Sequence, residues 1–200
     1  MIKNLTLFMG LLLTGMLQFA AVQSANAQGG TENDNFLLQM NTSTGSQTWG
    51  KGTCGWNYSL FGASVTEDLC AEIVWAYDGT GNDSLLCDPV TMDLTGKIAL
   101  IRRGVCGFSL KAYRAQQAGA IAVVIINHYA NAAEDGCYVT GMSGLDSAAA
   151  VVIPAIFVCR DVGEVLDAAI KAGTTEACFS LPRMYEPYTA YHYATPAEQV

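Results

Sequence analysis

The stretch from Gly96 to His128, GKIALIRRGVCGFSLKAYRAQQAGAIAVVIINH, constrains this chain more than any other. Lys97 to Ile101 is a short, mainly aliphatic run, and Ala120 to Ile126 (AIAVVII) is a second with no polar position. Runs of this kind read as strands buried on both faces, which is the habit of parallel strands. Between them Phe108, Ala112, Ala115 and Gly119 recur at spacings of four, three and four, placing them on one helical face, with Lys111, Arg114 and Gln117 mainly elsewhere. The pattern predicts a strand, helix, strand unit with a right-handed crossover. Its inward helix face is mostly alanine and glycine, so the helix is expected to lie close to the sheet.

The order RRG.C.F..K...AQ.AGA.AV, carried by Arg102, Arg103, Gly104, Cys106, Phe108, Lys111, Ala115, Gln116, Ala118, Gly119 and Ala120, closely resembles the core of the protease-associated (PA) domain. The resemblance extends more loosely from about Ala71 to Leu181, through Cys87-Asp88-Pro89 and Ile153-Pro154-Ala155-Ile156-Phe157-Val158. It implies an α/β fold: a compact PA-type β/α module with a mixed, partly parallel sheet or open barrel flanked by two main helices. It also implies a non-catalytic accessory to secreted or membrane peptidases and sorting receptors, and a disulfide between Cys87 and Cys106. From the residues alone, Cys106 at a helix start is either bridged or, with a nearby base, an activated thiol.

Residues 1–27 carry a signal-peptide pattern: Lys3, an apolar run from Leu5 to about Val22, then Ala25-Asn26-Ala27 before Gln28. An uncleaved anchor is the competing reading; Thr14, Gly15, Gln18 and the small-residue ending favour cleavage. No later segment is long and apolar enough to span a bilayer, so the expectation is an exported protein, secreted or periplasmic, without stable membrane insertion. Removal of residues 1–27 leaves 9 basic and 18 acidic residues, a net charge of −9, which disfavours nucleic acid as a partner. Seven cysteines, all beyond the signal, fit an oxidising compartment. None forms a C-x-x-C pair, and the odd count leaves one thiol free, bridged to another chain or paired with a segment outside this sequence.

The remaining chain divides into a polar, flexible lead-in at residues 28–53 with a strand near Phe36 to Met40, the PA-like domain at 54–181, and a Pro/Tyr-rich tail or linker at 182–200. Trp56, Tyr58 and Phe61 are expected to pack in the core or under the domain edge rather than to form a ligand platform. Ala71 to Tyr77 reads as a strand followed by a polar turn, Asp78 to Ser84, whose oxygens suggest a calcium loop only faintly because the spacing and closing glutamate are missing. Val151 to Val158 and Glu176 to Leu181 read as strands. Asp161 to Ala172 reads as a helix, with Asp161 and Glu164 as an N-cap pair and Val162, Val165, Leu166, Ala169 and Ile170 as its apolar stripe.

The loop after Ile126 lies at the carboxyl end of a strand, where α/β sheets commonly bind ligands. Asn127, His128, Tyr129 and Met142 are the contact candidates there. No G-x-S-x-G elbow, H-E-x-x-H pair or Gly-rich phosphate loop is present, and no metal or cofactor is expected. The resemblance to the PA domain implies a non-catalytic protein or peptide interaction module, whose partner is a peptidase or its substrate. A remnant of a secreted peptidase and a disulfide-linked extracellular structural protein are the alternatives. Asn41, Asn57 and Asn82 stand in glycosylation sequons, which matter only in a eukaryotic source.

Overall fold

A computed structural model describes residues 30–80, 83–127 and 136–182. The signal-peptide segment, His128, Tyr129 and the tail beyond Pro182 lie outside the described residues. Among the described residues eight strands form one mixed sheet: β1 (Leu37–Thr42), β2 (Gly45–Trp49), β3 (Trp56–Asn57), β4 (Leu69–Trp75), β5 (Ile98–Arg102), β6 (Ala122–Ile126), β7 (Ala155–Val158) and β8 (Glu176–Ser180). Their spatial order is β2-β1-β8-β4-β5-β6-β7-β3. Strands β4 to β7 run parallel, whereas β8 is antiparallel to both β1 and β4. A bridge between Lys51 and Trp56 joins the two sheet edges just past β2, so the sheet is nearly a barrel.

Helix α1 (Phe108–Gln117) links β5 to β6, and α2 (Arg160–Ala172) links β7 to β8. The parallel strands divide the core by alternation. Ile98, Leu100, Val124, Ile126, Ile156 and Val158 face the barrel interior with Val162 and Leu166 of α2. Ala99, Ile101, Val123, Ile125, Ala155 and Phe157 face α1 through Ala112 and Ala115. Burial on both faces is the physical reason the β6 run contains no polar residue. Each fully buried large aliphatic contributes roughly 1.5–3 kcal/mol of apolar burial.

Three local expectations need correction. The strand expected near Phe36 to Met40 is present as β1, but residues 45–49, expected as lead-in, add β2 and make a hairpin with it, and β1 pairs with β8 along five positions from Leu37↔Ser180 to Asn41↔Glu176. Their apolar alternation is short, but Leu38 and Met40 are buried. Trp56 and Phe61, expected to pack in the core or under the domain edge, are core residues with 0% exposure, Trp56 stacking on Phe36 at 4.1 Å. Helix α2 starts one residue earlier than expected: Cys159 is its N-cap and no side chain caps it, so Asp161 contributes charge to the first turn rather than a capping bond. Finally, Lys111 sits on the buried side of α1, because its long stem reaches across to the Leu85 carbonyl.

Glycine is required where helix meets sheet. A Cβ at Gly163 would land on the Cγ2 of Ile126, so α2 approaches β6 only because that position carries no side chain. Gly119, with φ +95, turns the chain from α1 into β6 against Thr95.

Candidate functional site

The parallel strands β4, β5 and β6 end on one rim, and the residues closing them define a trough between that rim and α2. Arg102, the last residue of β5, lays its guanidinium over the Trp75 ring at 4.5 Å. The Trp75 indole Nε1 donates to Asp167 Oδ1 at 2.8 Å, and Lys171 Nζ donates to Asp167 Oδ2 at 2.7 Å. Burial opposes ionisation of Asp167, but the bonds from Lys171 and Trp75 and the charges of Lys171 and Arg102 outweigh it and hold the carboxyl below its ordinary range. The result is a fixed ladder of cation, aromatic face, carboxylate and ammonium. The trough beside it, about 510 Å³, is walled by Trp75, Tyr77, Met92, Arg102 and Ile170. A narrower cleft of about 70 Å³ continues towards Asn127 and Arg160. Tyr77 is 41% exposed, giving the trough an aromatic lip. Aromatic and thioether walls beside paired charges can take an apolar side chain while hydrogen-bonding a neighbouring polar group.

Two of the contact candidates have structural duties instead. Asn127 is buried; its Oδ1 accepts from Arg103 Nη1 at 3.0 Å and its backbone N–H donates to Val158 O at 3.0 Å, tying β6 to β5 and β7. It reaches the narrow cleft as a wall. Met142 has 0% exposure and exchanges backbone bonds with Tyr58 and Leu60, so it packs in the core. A methionine in a glycine-rich loop gives no sequence signal of such burial. His128 and Tyr129 lie outside the described residues. Trp75, Arg102 and Asp167 were not singled out together by the sequence, because 92 positions separate Trp75 from Asp167 and only the parallel sheet brings them to one rim.

The cysteines serve the scaffold. Disulfides join Cys54 to Cys137, Cys70 to Cys178, and Cys87 to Cys106, the last being the pair implied by the family resemblance. The free thiol is Cys159, fully buried, with its pKa pushed up by burial; a folded-state bridge to another chain through that sulfur is not accessible. Cys70, Glu176 and Cys178 converge within 4.8 Å, but the two sulfurs are already bonded to each other. The Asp78 turn is closed by protein donors: its carboxylate accepts from Thr80 Oγ1 at 2.8 Å, Thr80 N at 3.1 Å and Asp88 N at 3.2 Å. Burial raises the Asp78 pKa, yet those bonds hold it below the ordinary value.

Three comparisons bear on this arrangement. Over 89 residues the chain is 39% identical to the minor extracellular protease Vpr of Bacillus subtilis, covering 44% of this chain and 10% of that protein. It is 36% identical over 87 residues to signal peptide peptidase-like 4 of Oryza sativa, covering 44% of this chain and 15% of the relative. Among solved structures, the aminopeptidase from Aneurinibacillus sp. strain AM-1 superposes with a TM-score of 0.50 at 25% identity, covering 76% of this chain and 32% of that one. The chain thus spans a tenth to a third of these proteins. The PA domain family matches residues 59–166, from the Ser59 bridge to the middle of α2, which is more than half of the sequence. This chain belongs to the PA domain family.

Proposed function

We propose that the protein is an exported, non-catalytic recognition module that binds a protein or peptide segment in association with peptidase activity. The observation that carries this reading is the way the similarity is distributed. Proteins named as an extracellular protease, a signal peptide peptidase-like protein and a leucine aminopeptidase share this stretch with the chain, yet it makes up only 10%, 15% and 19% of them. A segment common to differently named peptidases and small in each fits an accessory role better than a shared catalytic unit. The trough under Arg102 and Trp75 supplies a surface for it, since its polar groups are already held in place by one another and would lose little freedom on binding. Three disulfides and the export pattern of residues 1–27 support an oxidising, extracytoplasmic setting.

The test is to incubate the processed protein with a peptide mixture from a denatured proteome and read bound peptides and peptide ends by mass spectrometry. Selective retention of intact peptides, reduced about tenfold or more by Arg102→Ala, is the expected result. New peptide ends that vanish when His128 is replaced would overturn the non-catalytic reading.

A further inference from the structure

We infer that the outer edge of β2 is a strand-addition site for an extended peptide, on the far side of α2 from the Arg102 trough. β2 is a terminal strand of the sheet, and its residues Gly45 to Thr48 are exposed. The hairpin turn is Ser43-Thr44, flanked by the pair Thr42↔Gly45. In a two-residue hairpin that flanking pair is hydrogen-bonded, and the ladder then alternates. Met40↔Gln47 and Leu38↔Trp49 therefore bond across β1 and β2, whereas Ser46 and Thr48 turn their N–H and C=O groups away from β1. The complementary set on β1, from Leu37 through Gln39 to Asn41, is opposite β8, as the same alternation requires.

Edges of this kind are normally blunted by proline, lysine or a bulge. The sequence Gly-Ser-Gln-Thr-Trp at 45–49 contains neither proline nor lysine and pairs with β1 without an offset. Barrel closure occurs only beyond it, through the Lys51–Trp56 bridge. A second and separate observation lies beside this edge. A groove of about 710 Å³ runs between the β1–β2 hairpin and α2, with Met40, Val165, Ala169 and Ala172 as its apolar floor and Thr44 and Gln47 on its rim. Its lining carries no charged side chain, although the chain as a whole has a net charge of −8.

The two features specify one occupant. Backbone pairing with Ser46 and Thr48 requires an extended polypeptide, and alternate side chains of an added strand point to the same face as Gln47, above the groove. The neutral, shallow floor suits small or aliphatic uncharged side chains at those alternate positions. The site rests on the recognition reading above for its biological use, but it is lined by different side chains from the trough: α2 presents Asp167, Ile170 and Lys171 to the trough and Val165, Ala168 and Ala172 to the groove.

The experiment uses the processed protein and a capped heptapeptide, acetyl-Thr-Val-Thr-Ala-Thr-Val-Thr-amide, alongside the same peptide N-methylated at alternate residues. Amide hydrogen exchange is followed residue by residue. Protection of the Ser46 and Thr48 amides by about tenfold or more with the first peptide is expected. That protection should disappear with the methylated peptide and at Ser46 in Thr48→Pro, a substitution that removes an outward N–H at an edge position where proline is tolerated and leaves the thermal transition in place. No protection, or equal protection by both peptides, overturns strand addition. Protection that appears without peptide and rises with protein concentration, together with a dimer mass, also overturns it and assigns the edge to a second copy of the chain. If proteome peptides are retained while the β2 amides exchange freely, strand addition fails and the recognition reading stands. If β2 is protected but no proteome peptide is retained, the reverse holds.

Discussion

Lys111 makes alkaline pH a probe of the α1 packing. Its side chain is buried beneath α1 with Nζ donating to the Leu85 carbonyl and lying 3.7 Å from Cys87 Sγ. Burial pushes its pKa from 10.5 down to about 8; the Asp78 charge opposes the fall and Arg114 adds to it. At ~1.4 kcal/mol per pH unit, that fall corresponds to about 3 kcal/mol. Below pH 8 the lysine is protonated in both folded and unfolded chains, and the cost of the buried cation is fully present. Between about 8 and 10.5 the unfolded chain binds more protons than the folded one, so stability rises with pH, gaining about 2 kcal/mol by pH 9.5. Denaturant unfolding of the disulfide-intact protein at neutral pH and near pH 9.5, compared with Lys111→Met, isolates this contribution. Titration of other groups is common to both proteins, and any fixed cost of leaving Leu85 without its donor cancels in the pH dependence. The wild type should gain about 2 kcal/mol relative to the variant across this interval. Identical pH slopes in the two proteins would refute a buried, destabilised ammonium.

The other predictions concern the scaffold. Under the loop-entropy account, replacing Cys70 and Cys178 by serine should cost about 1.5 kcal/mol more than replacing Cys87 and Cys106, because the closed loops span 108 and 19 positions; equal losses in denaturant unfolding would contradict it. Gly163→Ala should destabilise by about 1–3 kcal/mol by forcing α2 away from Ile126, read as a lower unfolding midpoint; an unchanged midpoint would show that the contact relaxes freely.

Local repetition made much of the fold legible in the sequence. The AIAVVII run, the alanine-rich face of α1 and the Val162-Leu166 stripe each repeat one physical requirement over several residues, and each lies where its period predicts. What was not legible depends on a single long-range contact. Lys111 reads as a solvated helix position until the Leu85 carbonyl is placed within its reach. Met142 reads as a loop residue until its backbone pairs with Tyr58 and Leu60. Strand β1 was legible near Phe36 to Met40, but β2 shows no apolar periodicity because it has one edge and most of its side chains in solvent, so composition makes it resemble a linker. The trough failed to appear for a related reason: its ladder is assembled from β4, β5 and α2, and apart from the Asp167–Lys171 pair one turn apart on α2 its members are remote in sequence.

The parallel and antiparallel halves of the sheet leave different surfaces for recognition. Strands β5 and β6 are buried on both faces and β4 to β6 are paired on both sides, so at this rim they offer their ends, where Arg102 and Trp75 present side-chain chemistry to the trough. The antiparallel half ends in β2, whose outer edge pairs with no further strand among the described residues, and offers backbone chemistry, which is tolerant of sequence. Helix α2 is a wall of both surfaces, and Gly163 sets how closely it sits against β6. A displacement of α2 that narrows one opening therefore acts on the other. Gly163→Ala should change peptide retention at the trough and strand addition at β2 together, whereas Arg102→Ala should affect the trough alone. Independent responses to the glycine substitution would mean that α2 does not couple the two surfaces.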